Sequence, residues 1–296
     1  MGMRRRALPA SLITLALAAA ACIAPTAPEP EVTMTMSPAS SPTPTSASAT
    51  AVPAATPTPP TVSSTPSMRS EPSLVGETRN AWAFAPVDAP DLVTVEGAVP
   101  RQRAWSTSKV LVAAAYLQDV ADGDPSRLEQ QQRQWISRAL GESDMDSLLA
   151  LRGAVSGDRG VRMTAILRSI GDETTVAPST KEGTMEWTVQ EQVRFMAALA
   201  RGEVVSSATS AYLLEAMQPV ESQRWGLAGV AATAAKGGWL TPTTETRQMG
   251  LLDGYAVAVI TDAVGPAVLQ SDGDEAHVEQ LDRLAEMLEL RLAPDG

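Results

Sequence analysis

The chain has 296 residues, with 23 lysines and arginines against 34 aspartates and glutamates, one cysteine and one histidine. A single cysteine excludes an intramolecular disulfide, and a single histidine excludes a multi-histidine metal centre and speaks against a Ser-His-Asp triad. The acidic balance speaks against nucleic acid or an anionic surface as partner.

In chain order, Arg4, Arg5 and Arg6 precede an apolar run, Leu8 to Ala21, that ends in Ala19, Ala20 and Ala21. This is the pattern of an export signal over residues 1–21, and the run is short for a spanning helix. Cys22 follows directly, and the arrangement resembles a bacterial lipoprotein lipobox, although Ala19 stands where such boxes usually carry leucine. The resemblance implies a lipid anchor at Cys22 and membrane contact through that anchor alone; an ordinary secreted protein is the alternative. Residues 22–73 are rich in Pro, Ser, Thr and Ala and hold more than half of the 22 prolines. Such a stretch cannot bury enough apolar surface to offset its ordering entropy, and its prolines favour an extended spacer. A spacer of this kind would carry residues 74–296 away from the membrane and into a cell wall. Without the three leader arginines, 20 basic residues face 34 acidic ones, a net charge of −14.

Residues 74–296 suffice for one domain with a sizeable core. Asn80 to Ala85 and Leu92 to Val95 read as short strands. A helix from Ser106 to Val120, apolar on all sides, reads as buried. Further helices are expected over Pro125 to Leu140, Ser143 to Ala154 and Gly160 to Ser169. Thr188 reads as the N-cap of a helix to Ala200, with Glu191 at the capping-box position. Ser206 to Met217 follows as another helix. The pattern then changes to three strands, Ala231 to Trp239, Arg247 to Leu252 and Tyr255 to Thr261, with Asp253-Gly254 as a hairpin turn between the last two. Val278, Leu281, Leu284, Ala285, Leu288 and Leu292 line one face of a terminal helix. Strands near both ends and helices between them predict an α+β domain, an antiparallel sheet flanked by helices.

Only three of the basic residues are lysine: Lys109, Lys181 and Lys236. Arginine serves wherever a permanent charge is enough, whereas lysine can lose its proton when desolvated. Lys109 lies one helical turn after Ser106, at the start of the buried helix, which is the layout of a serine nucleophile with a lysine base. Burial would disfavour the charged form of Lys109 and make it available as that base.

Three elements recur in order: Ser106-Thr107-Ser108-Lys109, Ser143-Asp144-Met145 and Lys236-Gly237-Gly238. With Ala104-Trp105 before the first, Gln223-Arg224-Trp225-Gly226-Leu227 and Trp239 after the third, the sequence resembles the penicillin-recognising serine hydrolases, the class A β-lactamases and DD-peptidases, in a secreted or lipid-anchored actinobacterial branch. The resemblance implies a β-lactamase-like fold with a reduced all-helical subdomain. It implies Ser106 as nucleophile, Lys109 as base, Ser143 as proton shuttle and Lys236 as electrostatic anchor. It also implies the backbone amides of Ser106 and Trp239 as oxyanion donors, and Gly237, Gly238 and Arg247 as substrate contacts. The substrate would be a β-lactam or a cell-wall peptide, taken by a monomer with no metal and no cofactor. Bland roles stay open: Ser106 and Ser143 as plain helix caps, Lys236 as an edge-strand charge, Arg247 as a surface or sheet residue. Lys181 reads as a solvated loop charge and His277 as a surface residue.

Several positions depart from the family pattern. Met145 stands for asparagine and Gly237 for threonine, and Ser106 and Ser143 are only 37 positions apart. The loop after Gly171-Asp172 lacks the family's pattern around its water-activating glutamate; Glu173, Glu182 and Glu186 are candidates. These departures favour slow deacylation, and they leave open a degenerate, non-catalytic envelope protein that keeps the fold. A class C-type esterase would need Tyr-x-Asn, and Tyr116, Tyr212 and Tyr255 all lack the asparagine.

Overall fold

The computed structural model describes residues 72–239, 245–262 and 276–293. The expectations for the leader, Cys22 and all but the end of the spacer lie outside these residues. Five strands form one antiparallel sheet in the order β2-β1-β5-β4-β3: β1 Asn80–Pro86, β2 Thr94–Gly97, β3 Ala234–Trp239, β4 Glu245–Leu252 and β5 Tyr255–Asp262. Asp253 and Gly254, both at positive φ, make the tight β4–β5 turn, the backbone form whose twist matches paired strands. The second strand begins at Thr94 rather than Leu92, because Thr94 to Gly97 are the residues that find partners on β1.

Seven α-helices complete the described domain: α1 Ser108–Val120, α2 Gln130–Gly141, α3 Met145–Ala154, α4 Arg159–Ser169, α5 Val189–Ala200, α6 Ser207–Ala216 and α7 Ala276–Leu292. Among the described residues no helix is long and apolar enough to cross a membrane. The alternation of side chains along the strands divides the core into two. On one face Trp82, Val257 and Val259 meet Leu281, Leu284 and Leu288 of α7. On the other, Ala83, Ala258 and Ile260 meet Val193, Phe195 and Met196 of α5 and the apolar body of α1. Helices α2, α3, α4 and α6 all pack around α1, which is buried from Ser108 to Leu117. That all-round burial is why α1 has no polar face in the sequence.

Local signals explain most helix ends. Thr188 Oγ1 accepts from the Glu191 amide at 3.1 Å, and Ser206 Oγ from Thr209 at 3.0 Å. The expected helix over 125–140 is interrupted: Pro125–Arg127 forms a 3-10 turn capped by Asp124, and α2 starts anew with a capping box between Glu129 and Gln132. His277, expected at the surface, is fully buried beside Trp225 and Trp239, with ring centroids 6.3 and 6.0 Å away. It falls on the inner face of α7, one position before Val278.

Candidate functional site

The turn that carries Ser106 is a 3-10 turn, Trp105–Thr107, which runs into α1. Trp105 has φ +44, a costly conformation for a bulky residue, of order 1–3 kcal/mol, and one that concentrates at functional sites. Several contacts hold it. Ala104 N donates to Met185 O at 2.8 Å, Trp187 N to Gln102 O at 2.8 Å, and Thr107 Oγ1 donates to Ala104 O. Two glycines let neighbouring backbones close on it. A Cβ at Gly183 would lie 3.2 Å from Trp105 Cα, and one at Gly238 would lie 2.7 Å from Ser106 N and 2.9 Å from Thr107 N. Gly238 therefore brings β3 against the amide of Ser106.

Lys109, on the first turn of α1, is buried, and burial lowers its pKa to about 8 against the opposing attraction of Asp144. Its Nζ donates to the carbonyl of Ser143 and, at 3.1 Å, to Ser143 Oγ. Lys236 on β3 is buried as well; its Nζ donates to the same Ser143 Oγ at 3.0 Å and to Gly237 O at 3.0 Å. Burial and the neighbouring charge of Lys109 both push the Lys236 pKa well down. β3 is indeed an edge strand, but Lys236 is not a solvated edge charge.

Ser143 meets both lysines because it is not a helix cap. It has φ +59, and Asp144 caps α3 instead, Oδ1 accepting from Ser147 N at 2.8 Å. The left-handed backbone turns both the carbonyl and the hydroxyl of Ser143 to Lys109. A hydroxyl has two lone pairs and one proton. With both lone pairs taken by lysines, the Ser143 proton is left to donate elsewhere. No hydrogen bond joins Ser106 to Lys109 among the described residues.

A cleft of about 320 Å³ opens beside Ser106 and Lys109, lined by these two, Trp105, Met145, Leu148 and Trp239, and on a further side by Arg152 and Lys181 to Thr184; Ser143 and Lys236 lie behind its wall. Among the described residues six non-glycine positions have positive φ, and three of them, Trp105, Ser143 and Lys181, belong to the cleft or its immediate support. Met145 is 54% exposed at the start of α3, placing a thioether on the cleft where an amide was expected.

The remaining expected residues lie elsewhere. Gly237 faces away from the cleft: a Cβ there would meet the Trp225 ring at 2.9 Å, so that ring leaves no room for threonine. Arg247, expected as a substrate contact or a surface residue, is wholly buried. Its Nε and one terminal nitrogen donate to Gln192 Oε1 at 3.1 and 2.7 Å, the other to Arg103 O at 2.9 Å, and burial lowers its pKa to about 9. Gln192 Nε2 in turn donates to Thr107 Oγ1 at 2.7 Å. Arg247 thus supports the Ser106 turn from beneath. Of the candidate glutamates, Glu173 is exposed against Arg168 and Glu186 accepts from the Gln102 amide. Glu182 alone lines the cleft, buried, with Oε1 held by Arg152 at 3.1 Å and Arg159 at 3.5 Å.

Sequence reasoning missed Gln192, Arg152 and the place of Lys181. Gln192 and Arg152 carry no local signal. Lys181, read from the sequence as a solvated loop charge, is exposed but lines the cleft with Lys109.

No model of a known protein family and no curated protein matches the sequence. Solved structures do match. A class A β-lactamase from Mycobacterium abscessus superposes with a TM-score of 0.56 at 16% identity, over 73% of this chain and 93% of that one. A β-lactamase from Xanthomonas campestris pv. campestris gives 0.56 at 15% identity, over 73% and 92%. The chromosome-encoded β-lactamase of Vibrio parahaemolyticus gives 0.52 at 18% identity, over 72% and 92%. With the five-stranded antiparallel sheet between α7 and the α1-centred helices, these likenesses establish that the chain has the fold of the class A β-lactamases.

Proposed function

We propose that the protein is a serine hydrolase that is acylated on Ser106 by a β-lactam or a cell-wall peptide amide. The observation that carries this reading is the convergence of two buried lysines, both with lowered pKa, on one hydroxyl beside the Ser106 turn. Ser106 Oγ attacks the amide carbon and its proton passes to neutral Lys109. The C–N bond breaks, and the leaving nitrogen takes the Ser143 proton, which the lysines restore. Water then hydrolyses the ester, releasing a carboxylic acid and free Ser106. The Ser106 amide, with that of Trp239 on the strand that Gly238 brings against it, would stabilise the tetrahedral oxyanion. Lys236 would attract the substrate carboxylate.

Deacylation is slow in this reading, because Glu182, the one candidate glutamate on the cleft, has its Oε1 taken up by Arg152 and Arg159. The protein would therefore behave as a penicillin-binding protein. Fluorescent penicillin should label the wild-type chain and not Ser106→Ala; no Ser106-dependent adduct at high probe concentration refutes the reading. That result would favour a non-catalytic envelope protein, a reading supported by Met145 and by the engagement of Lys109 with Ser143.

The proposal includes export, lipid anchoring at Cys22 and action as a monomer facing the cell wall. Labelled fatty acid should enter the wild-type chain and not Cys22→Ser; equal labelling of the two overturns the anchor.

A further inference from the structure

We propose that Lys181 forms a second anion subsite in the cleft, selecting substrates whose acyl group has an apolar body and its own carboxylate. This rests on the hydrolase reading for its orientation, with the substrate's other carboxylate at the end of the cleft lined by Lys109.

The backbone does not explain a lysine at position 181. Its φ of 57° and ψ of 49° are left-handed, a conformation that glycine or asparagine adopts at less cost. The conformation is held by Thr184, whose N and Oγ1 donate to Lys181 O at 2.8 and 2.9 Å. The side chain is exposed, lines the cleft and has no ion pair among the described residues. In a chain with 34 acidic residues, that is a charge left open.

The carboxylate next in sequence is already committed. Glu182 Oε1 is shared by Arg152 and Arg159, and Asp158 is taken up by Ser179 Oγ and by the amides of Gly160 and Val161, so neither carboxylate is paired with Lys181. Lys109 and Lys236 form a separate group around Ser143, whereas Lys181 comes from the segment that packs on Trp105 through Gly183. Trp105, Met145, Leu148 and Trp239 supply the apolar lining of the same cleft. A ligand that used both cationic groups would carry two separated carboxylates with an apolar portion between them.

The test is equilibrium binding to the Ser106→Ala protein, which cannot be acylated. The probes are benzylpenicillin and α-carboxybenzylpenicillin, which differ by one carboxylate on the acyl side chain. The dianion should bind about five-fold tighter, as expected for one partly exposed ion pair, and the margin should shrink in high salt. Adding Lys181→Gln should remove the preference and leave benzylpenicillin binding unchanged, while Lys181→Arg should retain it. Equal affinities, a preference that survives Lys181→Gln, or no measurable binding of either probe overturns the subsite. Labelling of the wild-type protein at Ser106 is scored separately, so a failed subsite and a failed hydrolase reading give different results.

Discussion

Gly238 and Gly237 are neighbours on β3 with opposite duties, and adding one methyl group to each separates catalysis from stability. In Gly238→Ala the new Cβ would lie 2.7 Å from Ser106 N, 2.9 Å from Thr107 N and 3.0 Å from Ala104 O, all backbone atoms. Ordinary contacts begin near ~3.5 Å, so β3 and the Ser106 turn must part by roughly 0.8 Å. A displacement of that order in the reacting geometry costs about 100-fold in rate. In Gly237→Ala the Cβ meets the Trp225 ring at 2.9 and 3.0 Å, on the face covered by α7. That is overpacking of a side chain, worth about 1–3 kcal/mol of stability. At roughly 2–4 °C per kcal/mol for a domain of this size, its melting temperature should fall by about 2–12 °C. Stopped-flow acylation by a fluorescent penicillin, with thermal melts of the same samples, reads both quantities. Gly238→Ala should be folded and slow; Gly237→Ala should melt earlier and acylate within about two- to three-fold of wild type. A folded Gly238→Ala protein that acylates at the wild-type rate would falsify the role given to the β3 approach.

Lys109 has its pKa lowered by burial to about 8, so acylation should rise about tenfold between pH 7 and 9 as the neutral amine accumulates. The linkage sign follows from the same depression. The unfolded chain binds more protons between about 8 and the ordinary 10.5, so the burden of burying a charged Lys109 is complete below 8 and stability rises with pH across that window. Chemical denaturation of Lys109→Met should show a smaller rise, because buried Lys236 keeps a depressed pKa of its own. Gln192→Leu removes the acceptor of two Arg247 hydrogen bonds and the donor to Thr107 Oγ1 and should destabilise by about 3 kcal/mol, whereas Gln192→Glu gives Arg247 a counter-charge and should stay within about 1 kcal/mol of wild type, both read by denaturant melts. Glu182→Gln should cost about 3 kcal/mol by freeing two arginines, yet leave the acyl-enzyme lifetime unchanged; a much longer lifetime would make Glu182 the deacylating base.

Local chemistry made much of this protein legible in one dimension. The all-apolar run of α1, the Thr188 cap, the Asp253-Gly254 turn and the heptad-like face of α7 each depend on residues close in sequence, and each element forms where those residues lie. Ser106 and Lys109 also share one short segment, so their pairing on a cleft could be anticipated. The misreadings have one cause. The fates of Arg247, Gly237, Ser143 and His277 depend on partners between 12 and 144 positions away, and no local pattern names those partners.

The sequence by itself determined most of the elements, the α+β class and two lysines worth watching, Lys109 and Lys236, because propensity, capping and hydrophobic period act over a few residues. Tertiary structure alone decided what those lysines do. Lys236 lies 93 positions from Ser143, yet packing brings it to the same hydroxyl that Lys109 reaches. It also turned Arg247 inward to Gln192 and set Lys181 on the cleft. Burial and charge–charge proximity, which shift the pKa values, are properties of packed atoms in three dimensions and have no counterpart along the chain.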